Sequence, residues 1–231
     1  MKYANVISAE FVARRNRFAA LVRLGGREEV VHVKNTGRLG ELLLPGASVA
    51  LTPGDSPGRK TRYDLVSVLK PGLGWVNIDS QACNRVAAEW LAAKPAPFAD
   101  VQMIRPEYRY GDSRFDFYME GPGRRILMEV KGCTLERGGV GYFPDAPTER
   151  GVKHLRELIR AAGEGYAAYL AFVIAMPGVK LVLPNIKTHP AFAEALSDAV
   201  SAGVRVLHLA CATAPDELTI VEHLEENCID Q

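Results

Sequence analysis

Cysteine is scarce and scattered. Cys83, Cys133, Cys211 and Cys228 are four in 231 residues, with no Cys-x-x-Cys pair. That argues against a zinc site and a disulfide framework, and it fits a reducing cytoplasm. Long hydrophobic runs are missing too. The longest, residues 167–176, has ten residues, against the roughly 20 of a membrane-spanning helix, and suits a buried strand. The opening Met1-Lys2-Tyr3-Ala4-Asn5-Val6 lacks the apolar core of a signal peptide. No membrane partner is expected. Basic residues are absent from the C-terminal end: residues 206–231 hold six acids and no Lys or Arg. Residues 1–80 carry a net +5 and residues 81–205 a net +2, so the overall +1 hides a basic body and an acidic end. A basic body points to an anionic partner such as DNA or RNA, although a lopsided soluble surface gives the same numbers. The acidic end reads as a solvated, frayed tail.

What remains is an ordinary globular composition, enough for one large domain or two small ones. Short β segments are expected over 6–7, 10–12, 18–24, 29–34, 48–52 and 63–68, with turns at Gly25-Gly26, Asn35-Thr36-Gly37, Pro45-Gly46 and Pro53-Gly54. This spacing predicts a small barrel, read here as OB-like, over residues 1–78. Pattern alone does not separate it from other small barrels. OB barrels bind single strands through a basic groove with aromatic platforms. The basic candidates are Arg14, Arg15, Arg17, Arg38, Arg59, Lys60 and Arg62. The aromatics Phe11, Phe18 and Tyr63 are few, and Phe18 reads as core. Asn35-Thr36-Gly37-Arg38 is turn chemistry that could also hold a phosphate.

Residues 71–80 read as the crossing to a second domain, residues 79–231, with Ser80 capping a helix from Gln81 to Lys94-Pro95. The chemistry concentrates in residues 113–131. Arg114, Asp116 and Tyr118 alternate with Phe115, Phe117 and Met119, then Gly121-Pro122-Gly123 turns, then an apolar run carries Glu129 and Lys131. Positions i and i+2 of a strand share a face, so Glu129 and Lys131 do, and hairpin pairing could bring Asp116 beside them. Two carboxylates and an ammonium then converge. With the Val130 carbonyl they form an oxygen set suited to Mg²⁺ or Mn²⁺, and Lys131 could orient a water or stabilise charge on phosphate. The plainer meaning of the spacing is a solvated cross-strand charge pair. Against it stands the cost of an unpaired acid inside an apolar run.

Downstream, Tyr142-Phe143-Pro144-Asp145-Ala146-Pro147 is too rich in aromatics and prolines for a flexible linker. Thr148 fits a helix N-cap, followed by Val152, Leu155, Leu158, Ile159 and Ala162 at helical spacing. Arg150, Lys153 and His154 sit in its first turns, where the helix dipole prefers acids. That mismatch points to an anion-binding role, set against surface pairing of Lys153 and packing of His154. A buried strand at 169–176, a helix at 188–202 and a strand at 204–209 complete an α/β sandwich with a mixed sheet.

Ser113-Arg114-x-Asp116-Phe117, a turn, then Glu129-Val130-Lys131-Gly132 resembles the PD-(D/E)XK nuclease-like superfamily. With Asn35–Leu43 written Asn-Thr-Gly-Arg-Leu-Gly-Glu-Leu-Leu, Arg59-Lys60-Thr61-Arg62-Tyr63, and the segment from Gly141 through Arg150-Gly151-Val152-Lys153-His154-Leu155, the chain is similar to the sugar fermentation stimulation protein A family over residues 10–210. The Tyr-Phe-Pro-Asp-Ala segment is the specific part, and Glu-x-Lys alone is weak. The resemblance implies an OB barrel followed by a nuclease-like domain. It implies a catalytic set of Asp116, Glu129 and Lys131, a cation on Asp116, Glu129 and Val130, and nucleic-acid contacts from Arg38, Arg62, Arg114, Arg150, Lys153 and His154. In that superfamily an acid on the first helix can complete the metal site; Glu89 is one candidate, and Glu107, just before the first core strand, is another. The family is linked to control of sugar, particularly maltose, metabolism and described as DNA-binding. The alternatives left open are therefore a metal-dependent nuclease, a non-enzymatic DNA-binding regulator that retains the fold, and a protein whose anionic ligand is not a polynucleotide.

Overall fold

The computed structural model describes residues 1–54 and 58–226. Cys228 and Asp230 of the acidic end lie outside the described residues. Strands β1 (Ile7–Asn16), β2 (Ala19–Leu24), β3 (Arg27–Val33), β4 (Ser48–Pro53), β5 (Tyr63–Lys70) and β6 (Gly74–Asn77) form one sheet in the order β3-β2-β1-β4-β5-β6. A parallel pairing of β3 with β5, His32↔Asp64 and Val33↔Leu65, closes the first five into a barrel. Alternate positions point inward, so Val22, Val31, Val33, Val49, Leu51 and Leu65 are fully buried. This is the OB architecture. The two short segments expected near the N-terminus are one bulged strand, β1, with register shifts after Phe11 and Arg14. Phe18 is not core. It sits at the β1–β2 turn, where its N–H takes the Asn16 side-chain oxygen, and its ring is 55% exposed. The apolar run that packs begins one residue later.

A backbone bond from Asn77 N–H to the Ala175 carbonyl, 2.8 Å, carries the barrel onto the second domain. Helix α1 (Ser80–Ala92) follows. Its cap is Asp79 rather than Ser80, and the Asp79 carboxylate accepts the Gln81 N–H at 2.9 Å. Ser80 instead donates its hydroxyl to the Lys34 carbonyl of the barrel.

Strands β7 (Met103–Tyr110), β8 (Ser113–Gly121) and β9 (Arg124–Cys133) are followed by the short β10 (Leu135–Arg137) and β11 (Val140–Phe143). Helix α2 (Glu149–Gly163), β12 (Ala167–Ile174), β13 (Val182–Pro184), helix α3 (Pro190–Ser201), β14 (Arg205–Ala214) and β15 (Glu217–Glu226) complete the domain. The main sheet is mixed, ordered β15-β14-β12-β9-β8-β7, with β12 parallel to both β9 and β14. A second small sheet joins β10, β11 and β13. On one face α1 packs its Cys83, Val86 and Leu91 with Ile126, Met128 and Val130 of β9. On the other, α2 and α3 pack with Leu127, Leu170 and Phe172 in a cluster continuous with the barrel core. The apolar run at 167–176 is a central strand buried on both faces, which explains its lack of alternation.

The acidic end is not a frayed tail as far as residue 226. It forms β15, an edge strand paired antiparallel with β14, and Leu218 and Ile220 pack toward α1. Its acids are matched locally: Glu217 with Lys2, Glu222 with Lys180, and Glu225 with Arg205. The first residues of the chain dock there too, with Tyr3 N–H on the Asp216 carbonyl at 2.8 Å, so they belong to the second domain by contact. No helix among the described residues is long and apolar enough to cross a membrane.

Candidate active site

The site arises where the β8–β9 ladder stops. Paired residues run from Gly121↔Arg124 to Phe117↔Met128. Beyond that the Asp116 side chain takes the place of a main-chain partner, and its Oδ2 accepts the Val130 N–H at 2.7 Å. The strict alternation expected along β8 breaks here. Phe117 and Met119 pack on the α1 face, whereas Phe115 packs on the α2 face. Across the sheet, Glu107 of β7 lies between the pairs Pro106↔Phe117 and Tyr108↔Phe115 at φ +54°. Asp116 Oδ1 accepts from Asn84 Nδ2 of α1 at 2.6 Å. Burial, and then the nearby Glu129 charge, push the Asp116 carboxyl up to about 6 against the pull of Val130 N–H, Lys131 and Asn84.

Glu129 is 3% exposed. Its Oε1 accepts from both Lys131 Nζ and His154 Nδ1. Burial alone would raise its pKa, but His154 and Lys131 outweigh burial and hold it below the usual carboxylate range. Its Oε2 is buried with no hydrogen-bond partner. An orphaned carboxylate oxygen in such a place costs free energy until something binds it. Thr148 caps α2 as the sequence predicts, accepting the Gly151 N–H at 3.0 Å. That cap sets the first turns of α2 over the end of β9 and brings His154 to Glu129.

Asn84, Asp116, Glu129, Val130, Lys131 and Thr148 line one cleft of about 500 Å³ between barrel and second domain. Arg17 and the Asn35–Gly37 turn form the barrel wall, and the loop from Tyr142 to Thr148 with Arg150 forms the other. At Gly37 a β-carbon would collide with the Asp145 carboxylate, so glycine permits the close approach of turn and loop. Arg14 is not free to meet an anion, because its guanidinium binds the carbonyls of Asn35, Gly37 and Arg38, each at 2.8 Å, and pins that turn.

Of the expected site residues, Asp116, Glu129, Val130, Lys131 and Arg150 line the cleft. Val130 contributes its main chain there, while its side chain packs with α1. His154 is 4% exposed behind Glu129, so it is not a surface contact for nucleic acid. Arg38, Arg62, Arg114 and Lys153 are exposed and outside the cleft. Arg62 lies over the Tyr63 ring, Arg114 pairs with Glu107 at 3.0 Å, and Lys153 binds the Asp112 carbonyl at 3.2 Å. The acid offered for α1, Glu89, pairs with the N-terminal amine at 2.9 Å. The α1 residue that reaches the site is Asn84, one turn earlier on the helix. Its only sequence signal is a polar side chain facing inward next to Cys83.

Among the described residues no three His, Cys, Asp or Glu side chains form a metal-ligand cluster. Two carboxylates, main chain and cleft solvent are still the kind of set that a hard divalent cation takes alongside substrate oxygens. The orphaned Glu129 Oε2 beside an under-neutralised Asp116 fits such an ion.

Comparison with known proteins matches the chain to two family models. Residues 12–78 match the SfsA N-terminal OB domain, and residues 81–217 match the sugar fermentation stimulation protein RE domain. A sugar fermentation stimulation protein homolog of Desulfitobacterium hafniense (strain Y51) is 50% identical over 218 residues, covering 94% of each chain. Another from Clostridium beijerinckii is 48% identical over 225 residues, 97% of this chain and 99% of that one. The solved structure of Pyrococcus furiosus SfsA in complex with Ca²⁺ superposes with a TM-score of 0.84 at 32% identity, over 98% of this chain and 96% of that one.

Proposed function

This chain belongs to the sugar fermentation stimulation protein family, and from that premise we propose that it binds DNA or RNA across its interdomain cleft and cleaves it with Mg²⁺ or Mn²⁺. One observation carries the reading: the buried, unpartnered Glu129 Oε2 beside the Asp116 carboxylate, on the floor of a cleft with Arg17, Lys131 and Arg150 in its walls. The Ca²⁺ held by the Pyrococcus furiosus relative supports a hard, oxygen-seeking ion here.

Asp116, Glu129 and the Val130 main chain would hold the cation. Such an ion supplies Lewis-acid stabilisation of the charge that develops on phosphate. Lys131 keeps its ammonium at the cleft through Glu129 and would orient the attacking water or stabilise that charge. Arg150 and Arg17 would hold backbone phosphates, so binding should weaken steeply with salt. Asn84 and Val130 N–H fix the Asp116 rotamer and keep both oxygens engaged from one side.

The test is cleavage of labelled single- and double-stranded DNA and RNA in Mn²⁺ by the wild type, by Asp116→Ala, and by the wild type with chelator. The expected result is cutting that chelator abolishes and that Asp116→Ala lowers by at least about 100-fold, since one electrostatic group at a reacting centre is commonly worth that much. Unchanged cutting by Asp116→Ala would remove this site from the reaction. No cutting, with binding that persists in chelator, would leave a non-catalytic nucleic-acid-binding regulator.

A further inference from the structure

We infer that His154 is a positioning residue that turns Glu129 so that Oε2, and not Oε1, is the oxygen presented to the cation. The inference rests on the cation-site reading above and adds a residue to it.

Donors and acceptors around the ring fix the His154 tautomer. An arginine guanidinium has donors only. Arg150 Nε reaches His154 Nε2 at 3.4 Å, so Nε2 must accept and the imidazole proton lies on Nδ1. Nδ1–H then donates to Glu129 Oε1. Lys131 Nζ lies 3.5 Å from the same Nδ1, but an ammonium and an N–H cannot pair, so the lysine bond also goes to Oε1. Two donors on Oε1 leave Oε2 as the one oxygen of the carboxylate without a partner, although it is buried. Arg150 and His154 are one turn apart on α2, on the same helix face, so the Thr148 cap fixes the whole chain of bonds at once. A histidine buried only for packing needs no polar partner at both ring nitrogens. Here its ring also rests about 6.0 Å from the Phe115 ring, which holds its plane.

Outer-shell partners of this kind orient ligand carboxylates, and their loss typically weakens metal binding 10- to 100-fold. The experiment is calorimetric titration of the full chain with MnCl₂, comparing the wild type with His154→Leu, His154→Asn and Glu129→Gln. The side-chain amide of Asn can donate from nearly the position of Nδ1, whereas Leu cannot. The expected result is a loss of affinity of about 10- to 100-fold in His154→Leu, recovery to within a few-fold in His154→Asn, and a larger loss in Glu129→Gln. If Glu129→Gln binds Mn²⁺ as the wild type does, the cation-site reading itself fails. If Glu129→Gln loses binding while His154→Leu keeps it, or while both His154 variants lose it equally, only the role given to His154 is overturned. Nitrogen NMR of the wild-type imidazole supplies a readout that needs no variant to fold. A proton on Nδ1 agrees with the inference, and a proton on Nε2 overturns it.

Discussion

A buried and a half-buried aspartate meet opposite surroundings. Asp64 is fully buried in the barrel, and burial alone would raise its pKa. Arg59, Lys34 and His32 all bond to it, and together they bring it down to about 2. At Asp116 burial and then the Glu129 charge outweigh Val130 N–H, Lys131 and Asn84, and the carboxyl is pushed up to about 6. The first is a closed ion cluster. The second is a carboxyl beside a second carboxylate, and that contrast supports the proposed cation site. Asp64 yields a stability prediction. Its folded pKa lies below its ordinary value of 3.8, so its contribution is complete above about pH 4 and fades as pH falls toward 2. The difference of nearly two pH units corresponds to a contribution on the order of 2 kcal/mol at neutral pH. Urea melts of the wild type and Asp64→Asn should therefore show a stability gap of that order at pH 7 that closes between pH 4 and pH 2. A gap constant over that range would contradict the ion cluster as its source.

At the scale of elements, the contact of α1 with β9 controls how Asn84 meets Asp116. Gly132 lies under α1, and a β-carbon there would come within 2.6 Å of Cys83 Sγ. Gly132→Ala should cost about 1–3 kcal/mol by overpacking. The same push should loosen the Asn84–Asp116 bond, because Cys83 and Asn84 are adjacent. Shrinking the neighbour should relieve it, so the double variant with Cys83→Ala should recover most of the loss relative to Cys83→Ala alone. Simple additivity of the two costs in denaturation would show that the two groups do not touch. The elements also divide what was readable in the sequence from what was not. The β8–β9 hairpin and the shared face of Glu129 and Lys131 follow from a period of two, which sequence carries openly. The Thr148 cap followed from local chemistry. The break in alternation at Asp116 was hidden, because a ladder rung replaced by a side chain leaves the residue pattern unchanged. β15 was hidden as well. Its acids read as solvated until Lys2, Lys180 and Arg205, distant in sequence, came beside them. Phe18 reads as core in the sequence because the β1–β2 turn extends through the first residue of the apolar run. Asn84 could not be singled out from Glu89 by helical spacing alone, since the direction of α1 across the sheet decides which one reaches the strand end.

For the whole molecule, barrel and second domain make one cleft. The Asn35–Gly37 turn, pinned by Arg14, forms a wall opposite the loop from Tyr142 to Thr148, and the two close on each other at Gly37 and Asp145. Lys70 of the barrel pairs with Glu136, and Thr213 donates to the Trp75 carbonyl at 2.6 Å, so the domains are fastened on the far side as well. The basic residues scattered along the barrel sequence thus part ways: Arg14 holds the cleft wall in shape, Arg17 faces into the cleft, Arg59 binds Asp64, and Arg38 and Arg62 lie outside it. The acidic groups that matter are on its floor, where a divalent ion would sit between protein carboxylates and a phosphate. That placement can be seen directly. Crystals of the full chain grown with MnCl₂ and measured near the manganese absorption edge should give an anomalous peak in the cleft, within ordinary Mn–O bonding distance of Asp116 and of Glu129 Oε2. A cleft with no peak at saturating Mn²⁺, or a peak bound elsewhere with Glu129 Oε2 still unpartnered, would contradict the account.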